Sequence, residues 1–221
     1  MANHPAQPVL SNPPRVLWET LLVLLVSLGL GLIYPGLKTF SILLPVAYLI
    51  IERRLRKRSW SELGFDLKGF PAALKANWWL VVLVAFVVQV LAVFSTRAFL
   101  PAFITHVVER LPISIHNGWM ILIPSLLLST LGEEIVYRGF FQERLSWFIQ
   151  APLAIGIVSV VFALMHYSPG PLGVVVVDLG LIVIDSILYG AIFARSKNIF
   201  VAWIAHALAD IVGVWLMLTF M

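Results

Sequence analysis

The sequence predicts an all-α, polytopic helical membrane protein, and three observations lead there. Its 221 residues are 61% hydrophobic and only 12% charged, with a mean hydropathy of +0.98. A soluble domain sits nearer half apolar and a quarter charged. The apolar residues also gather in long runs, as spanning helices require, with none of the short alternating strands of a membrane barrel. Finally, basic residues crowd the connections: ERRLRKR, residues 52–58, holds five of the 15 Lys and Arg.

Taken in order, residues 1–14 (MANHPAQPVLSNPP) are polar and proline-rich and predict a disordered tail. Residues 15–221 then form one transmembrane domain. About seven spans fit, at residues 16–34, 37–51, 78–94, 119–141, 151–167, 172–194 and 199–220. The first follows a single arginine and lacks a small-residue cleavage site, so it is expected to be an uncleaved span rather than a signal peptide. The second is short. Residues 59–79 read as an interfacial stretch leading to the third span, with Trp78 and Trp79 at headgroup level. The longest connection is 95–118, and its FITHVVERL portion suggests a short amphipathic helix lying on the membrane.

Orientation follows from the basic connections. With the amino terminus inside, Arg15, the cluster from Arg53 to Arg58, Lys68, Lys75, Arg144, Arg195 and Lys197 all fall on the cytoplasmic side. Lys38, Arg97 and Arg110 fall outside, and Arg138 lies within the inner end of the fourth span. The 52–58 run is thus a cytoplasmic loop, not a nucleic-acid patch. The chain has no cysteine, which excludes disulfides, thiolate chemistry and a prenyl or palmitoyl anchor on this chain.

Ionisable groups inside a span cost a few kcal/mol unless they face a partner or water. The stretch STLGEEIVYRGFFQERL, residues 129–145, carries Glu133, Glu134 and Arg138; further on stand His166, Asp178, Asp185, His206 and Asp210. Glu134 and Arg138 are spaced i, i+4, which suits an ion pair along one helix face. Glu133 points about 100° away and needs another partner, so a chemical role is expected of it. His206 and Asp210 are also i, i+4, and Phe162 lies one turn before His166. At about 1.5 Å of rise per residue, Glu133, His166, His206 and Asp210 can all meet near mid-bilayer. Asp178 and Asp185, two turns apart on one helix face, can line the same cavity, with no assigned task.

A Glu, two His and an Asp in a wet pocket suit two chemistries. One is water activation by carboxylate and imidazole, with the other pair holding an oxyanion. The other is a zinc site, although no HExxH is present. A proton-coupled carrier would also use intramembrane acids, but the chain shows no internal repeat.

EEIVYR (residues 133–138), FALMH (162–166) and HALAD (206–210) resemble, in order and spacing, the signatures EExxxR, FxxxH and HxxxN/D of the CPBP family. This is the CAAX protease and bacteriocin-processing, or Abi, family of intramembrane endopeptidases. The resemblance covers residues 125–214, within a motif-bearing core of about 119–221; residues 1–118 match only as generic apolar spans. It implies a hydrolase acting on a membrane-associated peptide or protein in the lipid bilayer, with no nucleic-acid partner. It further implies that Glu133 is the general base, His166 its partner, and His206 with Asp210 the oxyanion side, with Glu134, Arg138 and Phe162 in support. At Asp210 the chain has the acid where asparagine is the other family choice; an ionised aspartate repels an oxyanion, so it must be protonated or must orient His206. A glutamate-based mechanism without a cofactor is expected, with zinc as the alternative. A non-catalytic membrane scaffold or immunity protein is the other class. The implied substrates are prenylated CAAX tails, as in eukaryotic-type members, or the peptide precursors, anchors and sorting tails of bacterial-type relatives.

Overall fold

A computed structural model describes residues 13–34, 38–111 and 118–221. Most of the predicted tail, residues 1–12, lies outside the described residues, as does Leu37 at the start of the predicted second span. The described residues form eight helices and no strand: α1 (Pro13–Ile33), α2 (Lys38–Leu55), α3 (Phe70–Phe99), α4 (Ala102–Glu109), α5 (Trp119–Leu145), α6 (Ala151–Met165), α7 (Leu172–Ser196) and α8 (Ile199–Thr219). α1 opens at Pro13, inside the predicted tail, because a proline in a first helical turn loses no hydrogen bond.

Five of these helices, α1, α3, α5, α7 and α8, are long and apolar enough to cross a bilayer. The other two predicted spans are helical but fall short. α2 carries Lys38, Glu52, Arg53 and Arg54 among its 18 residues. α6 has 15 residues, about 22 Å of rise against a hydrocarbon core of about 30 Å. The third span begins at Phe70 rather than Trp78, with Pro71 in its first turn, so half of the predicted interfacial stretch is helix.

The break between α7 and α8 has a local cause. Lys197 takes a left-handed φ of 50° to stop α7. Asn198 then caps α8, its Oδ1 accepting from the Phe200 N–H at 3.0 Å while its Nδ2 donates to the Asp66 carbonyl at 2.7 Å. Gly64 accepts the Ile199 N–H at 2.9 Å, and at φ 87° a Cβ there would sit 3.1 Å from Phe193 and Ile199. Only glycine suits both demands.

α8 is the central helix, with 56% of its apolar stretch buried against 22–39% for the other four spans. Ala202, Ala205 and Ala209 run down its buried side and let α3, α5 and α7 approach closely. One apolar core joins α1, α2, α5 and α6 through Val23, Leu49, Phe140 and Phe162. A second joins α3, α7 and α8 through Leu80, Val84, Ile192 and Ile199. A third packs Phe103, Ile104, Val107 and Val108 of α4 against Val174 of α7 and Leu216 of α8. α4 therefore docks its apolar face on the bundle instead of on lipid.

The basic cluster is partly neutralised by its own neighbours. Arg56 pairs with Glu52 at 3.0 Å, Arg58 with Glu143 at 2.6 Å, and buried Arg144 with Glu52. These pairs tie the end of α2 to the end of α5, where the chain leaves the apolar bundle.

Candidate active site

The adjacent glutamates of α5 face different surroundings, as their 100° separation requires. Glu134 and Arg138 are 0% exposed, with Arg138 Nε 3.3 Å from Glu134 Oε2. Arg138 Nη2 donates to Ser186 Oγ at 3.0 Å and to the Ser186 carbonyl at 3.2 Å, tying α5 to α7. A buried charge left without its partner costs about 3–5 kcal/mol, so this pair is a structural joint. Glu134 does more than the sequence suggested: its Oε1 accepts from His206 Nδ1 at 2.9 Å.

Glu133, with a side chain 19% exposed, opens into a cavity of about 360 Å³. Its Oε2 lies 3.8 Å from His166 Nε2 and 3.8 Å from His206 Nε2. A π turn, Ile135–Gln142, follows the two glutamates directly. Such turns inside α-helices are frequent at functional sites.

His166 stands at the end of α6. Its Nδ1 donates to the Phe162 carbonyl at 2.8 Å, and its Nε2 faces Glu133. The Phe162 ring, 4.5 Å away between centroids, backs the imidazole, and it meets His206 edge-on at 5.8 Å. This explains the four-residue spacing of FALMH: the phenylalanine supplies both a shelf and a backbone acceptor.

His206, in the middle of α8, is buried. With Nδ1–H committed to Glu134, its Nε2 faces Glu133 and lies 3.7 Å from Asp210 Oδ1. Tyr189 of α7 stacks under the ring at 4.4 Å and 21°. Tyr189 sits in an ordinary apolar run, and nothing in its spacing marked it.

All four sequence-predicted residues, Glu133, His166, His206 and Asp210, line this one cavity, together with Phe162, Asp178 and Asp185. Glu134 and Arg138 pack behind it. Gln89 Nε2 donates to Asp185 Oδ2 at 3.1 Å and to the Val84 carbonyl at 3.3 Å, the latter within the π turn Leu83–Val88 of α3. Asp178 pairs with Arg110, placed above in the outer 95–118 connection and here a residue of the cavity wall. The signal for Arg110 was its i, i+4 spacing from His106 on a short helix. Among the described residues, no group of three or more His, Asp or Glu side chains is gathered as a metal-ion cage.

Fold and site thus define a multi-pass helical membrane protein whose polar residues converge in a cavity between its helices. Residues 115–212 match the family described as type II CAAX prenyl endopeptidase Rce1-like. That match agrees with the resemblance of residues 125–214 to the CPBP, or CAAX protease, family, which at family level is one of endopeptidases. No curated protein and no solved structure matches the chain.

Proposed function

We propose that the protein hydrolyses a peptide bond of a membrane-associated substrate, using Glu133 and His166 to activate water and His206 with Asp210 to hold the oxyanion. The observation that carries this is the placement of Glu133 Oε2, 3.8 Å from both imidazole Nε2 atoms. These separations are too long for direct hydrogen bonds and suit a bridging water.

In the reaction, Glu133 takes a proton from water as the oxygen attacks the scissile carbonyl carbon. His166, whose Nε2 faces Glu133, shares that proton and directs the water. The carbonyl oxygen becomes an oxyanion. His206 Nε2 can donate to it only as imidazolium, because Nδ1–H is already given to Glu134. Asp210 donates beside it in its protonated form. Return of the proton to the amide nitrogen releases the amine, and the C–N bond breaks. Apart from its polar corner the cavity is walled by apolar side chains such as Val107, Leu126, Val214 and Met217, which suits a hydrophobic tail.

The substrate class follows the family match: a prenylated carboxy-terminal CAAX segment. The basic connections support a cytoplasmic amino terminus and 52–58 loop, the side on which such tails are presented. The test is purified protein in liposomes with a prenylated CAAX peptide and its unprenylated twin, read by mass spectrometry. Cleavage of the prenylated peptide is expected. Cleavage of neither, nor of any carboxy-terminal membrane peptide compared in cells with and without the protein, overturns the enzymatic reading in favour of a scaffold.

A further inference from the structure

We infer that Arg110 is a positioning residue for His166, and this rests on the proposed role of His166 in water activation. His166 lies just past the last turn of α6, where helix carbonyls have no partner within the helix. Arg110 Nη1 donates to the His166 carbonyl at 3.1 Å. The same nitrogen pairs with Asp178 of α7, a buried carboxylate that holds the guanidinium in place.

A second contact comes from the preceding turn of α4. His106 Nε2 lies 3.1 Å from Ser168 Oγ and 3.5 Å from Asp178 Oδ2. The α6–α7 connection is therefore gripped at His166 by Arg110 and at Ser168 by His106. The grip is close: a Cβ at residue 170 would sit 2.9 Å from His106 Nδ1, and the residue there is glycine.

Two sets of bonds thus fix the imidazole. Phe162 sets the ring's rotation and tautomer from within α6. Arg110 sets the backbone from which the ring projects, and so the 3.8 Å separation of Nε2 from Glu133 on α5. A guanidinium suits the task because it stays charged at every working pH and donates in a fixed plane. This also gives Asp178 a purpose: it anchors the anchor.

The test compares kcat and KM per folded protein on the prenylated CAAX peptide. Arg110→Met keeps the bulk but loses the donor. Because it strands the buried Asp178 carboxylate, the double variant Arg110→Met/Asp178→Leu, which removes both charges, is measured beside it. A displacement of about 1 Å at a catalytic group costs about 10²-fold, so kcat should fall about 10- to 100-fold in both, with KM within about twofold. Arg110→Lys, which keeps a charged donor but not the fixed plane, should fall between the Met variants and the wild type. Wild-type kcat in either folded Met variant overturns the inference, as does a loss confined to KM, which would make Arg110 a substrate contact. His166→Ala separates the two levels. If it turns over like the wild type, the proposed chemistry of His166 fails; if it is inactive while the Met variants are not, only the positioning role of Arg110 fails.

Discussion

Glu133→Gln is the sharpest perturbation of the proposed mechanism, because it removes a proton acceptor and almost nothing else. The amide matches the carboxylate in volume, so the cavity of about 360 Å³ keeps its shape. Glu133 is 19% exposed and its imidazole neighbours stand 3.8 Å away, beyond direct hydrogen-bond range, so stability should change by less than about 1 kcal/mol. The rate should respond very differently. Loss of a general base costs about 10²- to 10⁴-fold, or about 2.7–5.4 kcal/mol at 1.36 kcal/mol per tenfold. Glu133→Asp calibrates the geometry: one methylene fewer withdraws the carboxylate by about 1.5 Å, leaving it about 5 Å from both Nε2 atoms. A displacement of that size should still cost about 10²-fold. The assay is turnover of a prenylated CAAX peptide by protein purified into liposomes, with the folded fraction measured for each variant. Folded Glu133→Gln turning over near the wild-type rate would refute the general-base assignment.

Three further outcomes are expected. Activity should survive dialysis against a strong chelator; stoichiometric zinc by elemental analysis, with activity lost on its removal and restored by its return, would replace the glutamate mechanism with a metal one. Arg138→Met should lower thermal stability in detergent by about 3–5 kcal/mol because Glu134 loses its buried partner, with activity tracking the folded fraction; a stable, inactive Arg138→Met would place the arginine in the chemistry. Asp210→Asn supplies a permanent amide donor, so it should stay active at neutral pH and keep activity further into the alkaline range, where a donor carboxyl would ionise; a large loss at every pH in the rate profile would instead make Asp210 the group that orients His206.

The sequence carried the long apolar runs, so the helices of the bundle fall where hydropathy put them, with ends shifted by caps and prolines. It did not separate the five helices that are long and apolar enough to cross a bilayer from the two shorter or more charged ones. α2 has the length of a span but carries four charged residues, and α6 is apolar but only 15 residues long. The i, i+4 pairs were legible because helix geometry fixes them: Glu134 with Arg138 and His206 with Asp210. Contacts between helices were not. Glu134 with His206, Gln89 with Asp185 and Arg110 with the His166 carbonyl span 72, 96 and 56 residues of chain, and no local periodicity encodes such pairings. For FITHVVERL the amphipathic pattern was read correctly, but periodicity alone cannot say whether its apolar face meets lipid or protein.

Those long-range contacts also explain how the bundle tolerates so much charge. Polar atoms without partners are expensive where water is scarce, so each partnered group in this cavity becomes a bond between helices. Glu134 joins α5 to α8, Arg138 joins α5 to α7, Asp178 joins α7 to α4, and Asp185 joins α7 to α3. The same bonds pack behind and around the cavity, so the helices that line it are joined by polar contacts as well as by apolar ones. Glu133 differs in kind. Its imidazole neighbours belong to α6 and α8 and stand at equal distances, too far to bond it directly and near enough to share a water with it. Two adjacent carboxylates, 100° apart on one helix, can therefore do different work: Glu134 joins helices behind the cavity, and Glu133 faces the cavity, where the proposed mechanism puts the reacting water.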